Sequence, residues 1–221
     1  ELFGGYRRYS TLTFYRWLHQ MAIVLQHLHR VMPKSAFYYR VQRYLHAFAA
    51  KDLSATMALL LTSEDQKSKP SEVFAPQLRL LIEQSDPFAR YRECQKMFSA
   101  HSIGNQMSFI DLMIILPDTY LEKVDRSTMA ASLEVRVPFL DNDLVDFVVG
   151  LPSHLKTPFS KKKWLLKSAL RGIVPDEILY GPKTGFNVPF QDWLRTSLKP
   201  LFFDHLSKFM QENPGVLNID Y

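Results

Sequence analysis

Apolar positions repeat every three to four residues along most of this chain, and no segment alternates apolar and polar residues long enough to make a convincing strand. In Ser35–Ala50, the residues Tyr38, Val41, Leu45 and Phe48 share one helical face. After Asn105, the residues Phe109, Leu112, Met113 and Leu116 recur at i, i+3, i+4 and i+7. The pattern predicts a helix from the tight Gly4-Gly5 connection to about Val31, stopped by Pro33, then one over about Ser35–Ala50. A short helix to Leu61 follows, capped by Asp52 or Ser54, with further helices near 75–84 and 87–99. Asn105 is placed to cap the next helix, which Pro117 ends, and Asp125 to cap one reaching about Leu133. Ser160 is placed to cap Lys161–Gly172, with Trp164, Leu165 and Ala169 inward and Gly172 at its end. Pro189 opens a helix at its first position, carrying Trp193 and Leu194. Val-Arg-Val at 135–137 is the nearest approach to a strand. The polar run 62–72, with Pro70, reads as an exposed loop. No internal repeat, low-complexity tract or shift in composition marks a second domain, so the reading is a single, mainly α region over 1–221.

Composition changes this picture only at its edges. Apolar residues make up 47% of the 221 residues and charged residues 22%, enough for a real core. Eight glycines argue against a complete Rossmann-type nucleotide unit within the chain. The single cysteine, Cys94, cannot form an internal disulfide; as a lone residue in a helical stretch it reads as a partly buried thiol rather than a nucleophile. With no secretory pattern, the expectation is a cytoplasmic protein, and no apolar run reaches the ~18 residues of a membrane span.

The net charge of +5 is unevenly spread: residues 1–50 hold seven arginines and lysines against one acid, Glu1. Interleaved aromatics such as Tyr15, Trp17, Tyr38 and Tyr39 make a nucleic-acid surface one reading; a basic flank to a phosphate-handling site, or a solvated helix face, is the other. His27 and His29 lack the i, i+4 spacing of a helical metal pair, and no metal ligand is expected.

The densest chemistry lies in Leu116–Leu155. Lys123, Asp125, Arg126, Glu134, Arg136 and Asp141 fall within nineteen residues among apolar neighbours. Charges set that way are paired with one another or used on a ligand. Asp125 reads either as a helix cap or as a ligand-facing carboxylate. Glu134 and Arg136, two apart in an extended stretch, point to one face; they suit a carboxylate or phosphate in a cleft, or else an ion pair that holds the turn into Pro138. In Tyr-Gly-Pro-Lys-Thr-Gly-Phe-Asn-Val-Pro-Phe, 180–190, Lys183 sits between Gly181 and Gly185, where a lysine can neutralise phosphate oxygens or be an ordinary surface turn residue.

Three ordered blocks together resemble one family. "ELFGGYRRY" looks like the tail of the asparagine synthetase motif that follows Gly-x-Gly-x-Asp. "LPDTYLEKVDRSTMAASLEVRVPFLDNDLVDFVVGLP" is similar to that family's most specific block, and "KKKWLLKSALRGIVPDEILYGPKTGFNVPFQDWL" to its closing one. The resemblance runs from residue 1 to about 194 and implies the helical C-terminal part of an α/β ATP pyrophosphatase synthetase domain whose sheet is largely missing. The implied enzyme is a glutamine-dependent ligase that uses ATP and Mg2+ to adenylate the aspartate side-chain carboxylate, then lets ammonia from glutamine displace AMP. By the resemblance, Lys183 stabilises phosphate charge and Glu134 and Arg136 line this region and help hold it, which makes these three the catalytic expectation. Lys123, Asp125, Arg126 and Glu1 are the implied substrate- or nucleotide-binding residues.

Departures qualify the match. Gly181 stands where arginine is usual, and Thr119 where a second aspartate is common. No Ser-Gly-Gly-x-Asp-Ser phosphate loop and no glutaminase domain occur, so the expected partner is a missing N-terminal portion of the same polypeptide, and the chain alone is expected to be inactive and to self-associate, as a homo-oligomer or an aggregate. The alternatives are a related β-lactam-forming or peptide-cyclising synthetase, or a non-catalytic helical module that binds nucleic acid through residues 1–50.

Overall fold

A computed structural model describes residues 2–25, 35–61, 70–158, 161–182 and 188–218. The expected stop at Pro33, the loop residues 62–69, the Ser160 cap and the pair His27 and His29 lie outside the described residues. In chain order the helices are α1 (Arg7–Leu12), α2 (Tyr15–Leu25), α3 (Ala36–Phe48), α4 (Leu53–Leu61), α5 (Pro70–Val73), α6 (Pro76–Gln84), α7 (Ala89–Met97) and α8 (Ile103–Ile110). A π-helix, Asp111–Leu121, leads into α9 (Glu122–Met129), followed by a 3-10 turn, Pro138–Leu140. Then come α10 (Asn142–Gly150), α11 (Ser153–Lys156), α12 (Trp164–Ala169), α13 (Asp176–Leu179), α14 (Phe190–Arg195) and α15 (Lys199–Glu212). Among the described residues no strand forms beyond two isolated bridges, one of them Phe74 with Leu217, so the fold is mainly α.

The chain divides into two compact units. The first, Glu1–Glu64 with Phe88–Leu179, packs α1 on α8, α2 on α3, α3 on α4, and α4 on α7. Its core joins Tyr9, Leu12, Ala22, Phe48, Met57, Cys94, Met107, Ile110 and Ile114. Helix α4 is buried from Ser54 to Ala58, and Asp52 starts it by accepting the Ala55 N–H at 2.8 Å, as expected of a capping carboxylate. Ser35 caps α3 through the Tyr38 N–H. The thiol of Cys94 is buried in this core, and burial pushes it up, away from the reactive thiolate. The second unit, Asp65–Pro87 with Tyr180–Tyr221, pairs α5 with α6 and α14 with α15. Its two segments are tied by Ala75 N–H to Val216 O (3.0 Å), Asn218 N–H to Val73 O (2.8 Å) and Gln77 Nε2 to Gly215 O (2.6 Å).

Several expectations are corrected. The first long helix breaks after Leu12, where Phe14 N–H turns back to Thr11 O at 3.1 Å in a tighter i→i+3 bond. Ser102, not Asn105, caps α8, accepting the Asn105 N–H; the Asn105 amide instead donates to Leu151 O at 3.0 Å. Pro117 does not end the next helix. The chain widens into a π-helix there, and Arg90 Nη2 takes the Met113 carbonyl (3.0 Å), the acceptor that an α-helical N–H at position 117 would have used. The helix therefore runs on, and Asp125 lies inside α9 rather than at its cap. The buried face is Met107, Ile110, Asp111 and Ile114, not the face of Phe109, Leu112, Met113 and Leu116. The period was legible and the phase was not, because the buried face carries a carboxylate. Helix α12 is shorter than Lys161–Gly172; Trp164 and Ala169 are exposed, and Gly172 lies beyond the helix end at φ +81°.

Candidate functional site

The π-helix and α9 position the segment that carries most of the expected site. Helix α9 ends in paired backbone bonds, Leu133 N–H to Thr128 O (3.0 Å) and Ser132 N–H to Met129 O (2.9 Å), with Ser132 left-handed at φ +56°. This is the Schellman arrangement, here with a serine at the position glycine usually fills. It stops the helix sharply, and residues 133–137 carry neither helix nor strand before Pro138 starts its 3-10 turn, with Val137 in extended backbone. Val-Arg-Val at 135–137 thus forms no strand.

Within that stretch Glu134 and Arg136 form an ion pair, with side chains 71% and 88% exposed. The structure brings these two expected residues together, as their spacing of two in an extended chain predicts. Lys123, Asp125 and Arg126 stand on α9, all exposed. Arg126 is engaged with Glu122 one turn earlier at 2.6 Å. The backbone carbonyls of Lys123 and Asp125 accept hydroxyls from Ser127 (2.7 Å) and Thr128 (3.2 Å). Around the pair, the large apolar side chains of Leu133, Val135, Val137 and Phe139 are also exposed. Lys183 and Glu1 lie outside the described residues. Asp141, by contrast, has a structural duty: its carboxylate caps α10 by accepting the Leu144 N–H at 3.2 Å.

Two groups went unpredicted. Asp111, fully buried at the start of the π-helix, accepts from Arg8 Nη2 at 2.6 Å and from the Tyr9 hydroxyl. Burial pushes the Asp111 carboxyl above the usual carboxylate range, and the Arg8 charge with the Tyr9 hydroxyl pulls it back. The Arg8 guanidinium lies over the Tyr6 ring at 3.9 Å, and the Tyr6 hydroxyl meets that of Tyr120 at 3.2 Å. This network fastens the first turn of α1 to the π-helix that aims α9. The available signal was an aspartate inside an apolar helical run.

The second is Lys156, the last residue of α11, only 3% exposed. Burial holds its ammonium down at about 8, from an ordinary 10.5. Nothing in Ser-His-Leu-Lys at 153–156 distinguishes it from a solvent-facing lysine at a helix end.

A family model described as Asparagine synthase matches residues 1–220. The asparagine synthetase [glutamine-hydrolyzing] 1 of Bacillus subtilis (strain 168) is 32% identical over 207 residues, which cover 90% of this chain and 30% of that protein. A putative asparagine synthetase [glutamine-hydrolyzing] of Mycobacterium tuberculosis (strain ATCC 25618 / H37Rv) is 44% identical over 90 residues, 41% of this chain and 14% of its own length. The asparagine synthetase [glutamine-hydrolyzing] of Homo sapiens is 34% identical over 103 residues, 44% of this chain and 18% of its own. The chain spans less than a third of the length of these relatives. No solved structure matches it.

Proposed function

The chain belongs to the asparagine synthase family, and from that premise we propose that it supplies part of the surface on which an ATP-dependent ligase activates a side-chain carboxylate for amide formation. The observation that carries the proposal is the Glu134–Arg136 pair. An ion pair this exposed contributes at most about 1 kcal/mol to folding, yet a Schellman stop and a 3-10 turn hold it out from the unit beside exposed apolar side chains. Stability does not account for that arrangement; ligand contact does.

Aspartate is the proposed substrate. Its carboxylate is a poor electrophile until an oxygen becomes a leaving group. That oxygen attacks the α-phosphorus of ATP, an O–P bond forms, and pyrophosphate departs. Ammonia, released from glutamine elsewhere in the intact protein, then attacks the acyl carbon, and AMP leaves with the C–O bonding electrons as the nitrogen loses a proton. Arg136 offers a planar fork of donors to the carboxylate or phosphate oxygens. Glu134 orients that fork and, in the intact site, the ammonium of Lys183, which neutralises phosphate charge as it develops. Lys123, Asp125 and Arg126 border the substrate, and Glu1 is a further polar contact. Among the described residues no three His, Cys, Asp or Glu side chains gather as a metal site, so no magnesium ligand set and no step through the metal is assigned to these residues.

The test is aspartate-dependent pyrophosphate release by the intact protein. Lys183→Ala and Arg136→Ala are each expected to lower it about 100-fold or more. Unchanged release in both variants would remove this surface from the chemistry. No helix among the described residues is long and apolar enough to cross a membrane.

A further inference from the structure

A cavity of about 220 Å³ opens in the first unit, away from the Glu134–Arg136 segment in its lining and in its chemistry. Its wall mixes hydroxyl-bearing and apolar surface. Ser10, Thr13, Ser108, Ser153, Thr157 and Tyr9 contribute hydroxyls to it. Ser10 donates to Arg7 O, Thr13 to Tyr9 O, Thr157 to Ser153 O and Tyr9 to Asp111, and Ser153 meets Ser102, so that Ser108 alone among them has no bond to a described residue. Two glycines let the walls close in. Gly4, at φ +66°, passes so near Thr157 that any Cβ would collide with its methyl group, and a Cβ on Gly104 would stand 3.0 Å from that of Ser153. The sole lysine in the lining is Lys156. No hydrogen bond or ion pair joins its ammonium to a described residue; the residue as a whole is only 3% exposed, and the nitrogen is not fully enclosed.

A buried cation without a partner is costly unless something compensates it. Asp111, the nearest candidate by chemistry, is already engaged by Arg8 and Tyr9. The other titratable side chains of the lining are Tyr9 and His154, and neither supplies a standing negative charge near neutrality. What completes the cavity is therefore an anion small enough for it, with oxygens to accept from the ammonium and from the Ser108 hydroxyl.

We propose that this cavity is a binding site for a small oxyanion, a phosphate or a carboxylate, held by the Lys156 ammonium and the Ser108 hydroxyl. The charge of Lys156 is compensated by the ligand rather than by the protein, which accounts for a lysine retained in a pocket that an apolar residue of similar length would fill without penalty. The site is independent of the proposed carboxylate activation, since none of Glu134, Arg136, Lys123, Asp125 and Arg126 lines it.

The test uses the intact protein, with inorganic sulfate, inorganic phosphate and acetate as probes. Binding is read by titration calorimetry and by the shift in melting temperature at constant ionic strength, with chloride as the reference. Saturable binding of at least one of the three is expected, with phosphate or sulfate over acetate assigning a phosphate-like ligand and the reverse a carboxylate. Lys156→Met is expected to weaken it about tenfold or more, and Lys156→Arg to restore part of the loss. Ser10→Leu, which adds bulk to the cavity wall and leaves the charge in place, is expected to weaken it comparably, and stands in should Lys156→Met fail to fold. No saturable binding by the unaltered protein, or equal affinity in Lys156→Met and Ser10→Leu, would overturn the proposal. Pyrophosphate release is a separate readout: its loss in Arg136→Ala with oxyanion binding intact would show the two surfaces to be distinct.

Discussion

Two of the arginine–carboxylate pairs in the first unit have the same groups and opposite surroundings. Arg8 and Asp111 meet in the interior, with the carboxylate fully enclosed and the Tyr9 hydroxyl on the same oxygen. Arg136 and Glu134 meet on an exposed surface segment, both largely in water. In the interior, desolvation makes each charge dependent on the other, so losing one strands its partner. At the surface, water does most of what the partner does, and either charge can turn to a ligand at little cost. The same chemical pair is a fastening in one place and a free hand in the other.

The comparison breaks most readily at Asp111. Asp111→Ala should destabilise the first unit by about 3–5 kcal/mol, since it leaves the Arg8 charge buried and unpaired; denaturant unfolding of the intact protein measures this, and a loss below about 1 kcal/mol would mean that water already reaches the pair. Arg136→Ala should lower aspartate-dependent pyrophosphate release about 100-fold, equivalent to about 2.7 kcal/mol in the barrier, while changing unfolding by under about 1 kcal/mol. An equal loss in stability would place Arg136 in the fastening class.

Lys156 sharpens the contrast, being a buried charge without a protein partner. Its folded value, about 8, lies below the ordinary 10.5. The favourable contribution of its neutral form is therefore fully present above pH 10.5, declines as pH falls toward 8, and is gone below that. In oxyanion-free buffer, Lys156→Met should be more stable than the unaltered protein by about 1–3 kcal/mol at pH 7, after allowance for partial solvent screening, and the gap should close above pH 10.5. A gap that does not vary with pH would assign the effect to packing. The smallest effect is expected at Ser132, where relieving a left-handed backbone with Ser132→Gly should add about 0.5–1 kcal/mol by thermal unfolding and leave pyrophosphate release unchanged.

Helices that announce themselves by local chemistry were legible in the sequence. Asp52 caps as expected, and the helix expected from about Ser35 begins there, because these signals act within one turn. The pairing of Glu134 with Arg136 was legible for the same reason. Phase and continuation were not. The apolar pattern after Asn105 could not place Asp111 inside, since its burial depends on Arg8, 103 residues away. Pro117 reads as a stop unless the partner that takes its orphaned carbonyl, Arg90, is known. Lys156 looks like any helix-end lysine until Gly4 and Gly104 bring walls around it. Lys183 and Glu1, expected from the family resemblance, lie outside the described residues.

The π-helix has a consequence for how this surface tolerates change in length. A wide turn takes up residues that an α-helix would spend on rotation, so Asp111–Leu121 works as a phase shifter between a fastened end and a functional end. One residue removed there would turn everything beyond it by about 100° around the axis. The charged side of α9 and the Glu134–Arg136 segment would swing to a new bearing with their own sequence intact. Substitutions in this stretch test chemistry, whereas single-residue deletions test aim, and a lineage that lost one residue here would have to find its ligand in a different direction.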